Sequence, residues 1–113
     1  MAITPGFQAF VLEQLEQVPL VTSKSMFGGV GLYADGYFFA VLGDDRLFFK
    51  VDDSNQGDFE AAGMEPFRPY GDDRAMKYWE VPVDVLEDPE KLQVWAEKAI
   101  AVARSAKKGK KRG

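Results

Sequence analysis

The chain has 113 residues, enough for one domain, and 46% of them are hydrophobic and 28% charged, ordinary values for a globular fold. It contains neither cysteine nor histidine, which excludes disulfides, thiolate chemistry, the commonest general base and the ligands of most zinc sites. Its net charge of −4 is unevenly spread: Arg104, Lys107, Lys108, Lys110, Lys111 and Arg112 fall in the last ten positions, leaving residues 1–103 with a net charge of −10.

Thr4 followed by Pro5 reads as a helix start, with threonine capping free N–H groups and proline at the first helical position. Phe7, Phe10, Val11 and Leu15 recur at helical spacing, so a helix is expected over about residues 4–18, stopped by Pro19. Residues 21–51 read as a β-meander. Asp35-Gly36 marks a tight hairpin, Tyr37 to Leu42 forms a strand, Gly43-Asp44-Asp45 turns it, and Leu47 to Val51 returns. Asp53, Ser54 or Asn55 caps a short helix ending near Ala62 and terminated by Gly63. Phe67 to Tyr70 and Met76 to Val81 read as a second hairpin. Asp88-Pro89-Glu90 opens a last helix over about residues 88–105, carrying Leu92, Trp95, Ala96, Ala99 and Val102 on one stripe. The expected fold is two-layer α+β, an antiparallel sheet with helices on one face in the order α-β-β-β-α-β-β-α. The domain spans residues 1–105, followed by a basic, disordered tail over 106–113.

Neighbouring residues on a strand point to opposite faces. Phe38 beside Phe39, and Phe48 beside Phe49, therefore put large apolar groups on both faces of the central strands. One face meets the helices; the other needs a cover. A twofold homodimer supplies one, and a segment of the same chain is the alternative. These four phenylalanines mark the expected dimer or partner face.

Several short motifs imitate sites with known chemistry. Gly29-Val30-Gly31-Leu32-Tyr33-Ala34 has the letters of a dinucleotide fingerprint, but a hairpin and a strand follow where a helix is required. Asp52, Ser54, Gln56 and Gly57 imitate a calcium-binding loop whose twelfth position, in place of the bidentate glutamate, is Gly63. The aromatics from Tyr37 to Phe39 lack the basic setting of an RNA-binding sheet. No nucleophile–base pair, cofactor site or metal site emerges, and the expectation is a protein that is not an enzyme. The tail cations from Arg104 to Arg112 are the expected contact for nucleic acid or an acidic partner. There is no run of about 18 apolar residues to span a membrane and no signal-peptide pattern at the N-terminus, so a cytoplasmic protein is expected.

The string from Met26 to Gly36 resembles the opening of the TfoX (Sxy) N-terminal domain. So do Phe39-Ala40, Leu47 to Asp52, Gly63 to Phe67, Tyr78 to Pro82 and Leu86 to Glu90, in order, over about residues 7–104. The resemblance, to a stand-alone single-domain member, implies a secretion-chaperone-like α+β fold that often pairs as dimers. It also implies a connection to bacterial regulators of competence-gene transcription. The expected function is a non-enzymatic interaction module acting through protein contacts. The alternatives are a nucleic-acid-associated accessory protein using the basic tail, and a small-molecule-binding domain.

Overall fold

The computed structural model describes residues 4–26, 29–67 and 77–110, with side chains omitted at Met26 and at 107–110. The elements run α1 (Pro5–Gln14), β1 (Val21–Met26), β2 (Gly29–Ala34), β3 (Tyr37–Gly43), β4 (Arg46–Lys50), α2 (Gln56–Ala61), β5 (Tyr78–Glu80), α3 (Val83–Leu86) and α4 (Pro89–Lys110). All five strands form one antiparallel sheet in sequence order, β1-β2-β3-β4-β5. The α+β class and the helix-on-sheet architecture are as expected.

The order differs in three places. The 21–26 segment is a full strand that pairs along its length with β2. Among the described residues, the second hairpin shows the three residues of β5 and an isolated bridge from Pro66 to Trp79; the rest of its expected first arm and its loop lie outside the described residues. A one-turn helix, α3, precedes the last helix.

Local chemistry explains most boundaries. Thr4 accepts the Phe7 N–H through its hydroxyl, and Pro5 occupies the first helical position of α1. The helix ends at Gln14, short of the expected end. Asp35 and Gly36 both have positive φ, the conformation demanded by a two-residue turn between twisted strands. Gly63, at φ +75°, ends α2 as its N–H donates to the Glu60 carbonyl and the Met64 N–H to that of Phe59, which satisfies two otherwise orphaned acceptors. The Asp88 carboxylate accepts the backbone N–H groups of Glu90 and Lys91 and so caps α4. That helix continues through Lys110, so residues 106–110 of the expected disordered tail extend it instead.

The helices pack on one side of the sheet. Val11 of α1 and its C-cap Leu15, Phe59 of α2, Val85 of α3, and Leu92 and Ala96 of α4 join Leu32, Phe39, Leu42 and Phe49 in one core cluster. The α4 helix crosses β3 and β4, and Trp95 meets Phe59 edge-on with ring centroids 4.7 Å apart. Asn55 is the buried polar residue in this region. Its amide donates to the Lys50 carbonyl and its oxygen accepts the Asp52 N–H, which fixes the path from β4 into α2.

Candidate functional site

The aromatic pairs divide between the two faces of the sheet, and a β-bulge on β3 adds a residue to its inner side. Leu32 pairs with Ala40 and Tyr33 with Phe38, so Phe39 is the extra residue on β3. It lies with Ala40 on the inner, helix-covered face, as expected where two residues of a bulged strand oppose one. Phe39 and Phe49 are both fully buried in the core, 5.8 Å apart. This corrects their assignment to a dimer or partner face: neither reaches a surface.

Phe38 and Phe48 point the other way. Phe38 stacks on Tyr33 at 5.1 Å and meets Tyr78 at 5.5 Å. Phe48 packs against Phe67 at 4.5 Å. Phe48 and Tyr78 are buried yet lie outside the main core cluster. The chain therefore covers part of its own outer face, with Phe67 acting as a lid on Phe48, and the face is less open than the aromatic pattern suggested. Tyr33, Phe38 and Val41 remain half-exposed. Burial, and then the neighbouring Tyr33 phenol, push the Tyr78 hydroxyl up to about 12, because an oxyanion there would lose hydration next to another oxygen. Lys50 lies 5.5 Å from the centre of the Tyr78 ring.

Register aligns one transverse row on this face: Lys24, Gly31, Val41, Phe48 and Glu80 are successive partners from β1 to β5. Lys24 is exposed at one edge, and Glu80 at the other lies 3.8 Å from Arg46. The row has opposite charges at its ends, its smallest residue beside the cation and its largest beside the anion.

The other sequence candidates fall elsewhere. Gly29 and Gly31 sit within β2, which runs into a hairpin, so no helix N-terminus meets them. In the loop after β4, Asp52 accepts the backbone N–H and the hydroxyl of Ser54; this is a turn. Among the described residues no three acidic side chains converge as a metal site. Two open cavities flank β5. One, of about 370 Å³, is lined by Asp52, Gln56 and Trp79 among others. The second, of about 270 Å³, runs from Arg46 to Phe67 and Glu80. Of the basic cluster, Arg104 is exposed and its guanidinium lies 5.3 Å from the centre of the Tyr37 ring, a cation–π distance. Lys107, Lys108 and Lys110 continue α4, while Lys111 and Arg112 lie outside the described residues. Among the described residues, no helix is long and apolar enough to cross a membrane.

Sequence reasoning divided each phenylalanine pair between the faces but missed the bulge that sets Phe39 beside Ala40 on the inner side. The signal available was the triplet Tyr37-Phe38-Phe39 followed by Ala40, where strict alternation would have pointed Phe39 outward. No curated protein matches the chain. The TfoX N-terminal domain family matches residues 13–103, a span from the end of α1 into α4 that includes all five strands, and the chain belongs to that family.

Proposed function

We propose that this protein is a non-enzymatic, homodimeric interaction module that contributes to transcriptional regulation through protein contacts. The observation that carries this reading is family membership over residues 13–103, which connects the chain with competence-related regulation. Its surface chemistry is compatible with that role. Residues 1–103 have a net charge of −10, which repels phosphate and disfavours direct reading of nucleic acid by the body of the domain.

The test is a comparison of transcripts between a deletion strain and its complemented control, paired with crosslinking of the tagged protein in the same cells. A defined set of transcripts that changes on deletion and returns on complementation, together with crosslinks to an identified component of the transcription machinery or its regulators, is the expected result. An unchanged transcript profile overturns the regulatory role. The second reading, nucleic-acid association through the basic end, draws on the continuation of α4 to Lys110, which sets Lys107, Lys108 and Lys110 on one helical extension.

A further inference from the structure

The transverse row on the outer sheet face is antisymmetric about its centre. Lys24 and Glu80 close its two ends, Gly31 and Phe48 lie one strand further in, and Val41 stands in the middle on the central strand. A twofold interface requires the same patch to complement itself, with residue i on one copy meeting j on the other and j meeting i. Rotation about an axis parallel to β3, passing over Val41 midway between the two sheets, pairs the row in that way. It lays β1 of one copy over β5 of the other, so that Lys24 faces the partner's Glu80. Gly31 then faces the partner's Phe67, which covers the buried Phe48, and Val41 faces its own counterpart.

Shape agrees with charge. On the β4–β5 half of the face, Phe67 packs over Phe48 with ring centroids 4.5 Å apart and raises that half of the face. On the β1–β2 half, Gly31 presents no side chain and is itself buried, so this half forms a low floor whose accessible members are Lys24 and Val41. The raised half of one copy meets the floor of the other, and the sheets keep their strands within about 30° of each other, as in aligned sandwiches. Glu80 keeps 31% of its side chain exposed beside Arg46, and Lys24 is exposed on the edge strand, so each charge is accessible to the other copy.

We infer that the protein dimerises face to face through this row, with a second copy of the chain as the occupant of the outer sheet face. The inference rests on the homodimer of the proposed function and names its surface. Molar mass by light scattering over a concentration series tests it, with circular dichroism as the check on folding. The wild type is expected at twice 12.6 kDa and Val41→Glu at the monomer mass with an unchanged spectrum. Lys24→Glu and Glu80→Lys are each expected to weaken the dimer by roughly tenfold, since two symmetric attractions become repulsions. The double reversal is expected to restore it. Should Val41→Glu fail to fold, the charge series decides alone. A monomeric wild type overturns the homodimer itself. A wild-type dimer with no rescue in the double reversal keeps the homodimer and refutes this face.

Discussion

Tyr78 shows how a single residue ties the outer face to stability. It sits on β5, paired with Lys50, with its ring against Phe38, and its hydroxyl is shifted from an ordinary value of 10 to about 12 by burial and by Tyr33. Below pH 10 the phenol is protonated in both folded and unfolded chains, and its contribution to stability is complete. Above pH 10 the unfolded chain releases the proton first, so stability falls as pH rises from 10 toward 12. Denaturant unfolding at neutral and alkaline pH, on the wild type and on Tyr78→Phe, is expected to show a steeper alkaline loss in the wild type. An ultraviolet titration is expected to lose its last tyrosinate step in the variant. An identical alkaline loss in both proteins would show that Tyr78 is not held protonated by the fold. The same residue illustrates what a strand pattern conveys. Alternation correctly sent one phenylalanine of each pair to each face, because Phe48 and Phe49 occupy a regular strand. It could not identify the core residues of β3, where one inserted residue places Phe39 and Ala40 on the same side.

At the level of elements, the β3–β4 turn carries a cost that its side chain offsets. Asp44 and Asp45 both have positive φ, 53° and 55°, a conformation most residues avoid and glycine accepts freely. Asp45 uses it to reach α1: its carboxylate accepts the Thr4 N–H at 2.9 Å and the Thr4 hydroxyl at 3.3 Å. Thr4 therefore caps its own helix and moors it to a hairpin 41 positions away. Asp45→Ala removes the mooring and keeps the strain, with an expected loss of about 1–3 kcal/mol. Asp45→Gly removes the mooring and relieves the strain, and its loss is expected to be roughly half as large or less. Equal losses in thermal unfolding would mean that backbone strain plays no part in the turn. Both the hairpin and the helix start were legible, because Asp-Gly, Asp-Asp and Thr-Pro act through their own backbones. The mooring was not, since it depends on where the sheet carries a turn in space. The ends of α1 and α4 escaped for a related reason. A helix stops or continues according to what its last turn packs against, and neither Gln14 nor Ser105 signals that in its own chemistry. The cap at Asp88 and the glycine stop at Gly63, by contrast, were both readable from one or two residues.

For the molecule as a whole, the separation of charge bears on the two functional readings. Six cations lie in the last ten residues and the remainder has a net charge of −10. The α4 helix carries the backbone of this basic segment out to Lys110, where the negative end of the helix dipole favours cations without any ligand. The cluster thus has a structural explanation that calls for no nucleic acid. If it nevertheless binds phosphates, counterion release limits what six cations can supply: the slope of log affinity against log salt cannot exceed about 5 in magnitude on duplex DNA, and repulsion from the acidic body lowers the affinity further. The expected result for the full chain is therefore no retention of duplex DNA in a mobility shift at physiological salt. Weak retention at low salt should disappear on deletion of residues 106–113, which removes five of the six cations. Retention that survives physiological salt and is lost on that deletion would transfer the function from protein contacts to nucleic acid. Retention that survives the deletion as well would place a phosphate-binding surface on the acidic body, against the charge distribution, and would refute both readings of the basic end.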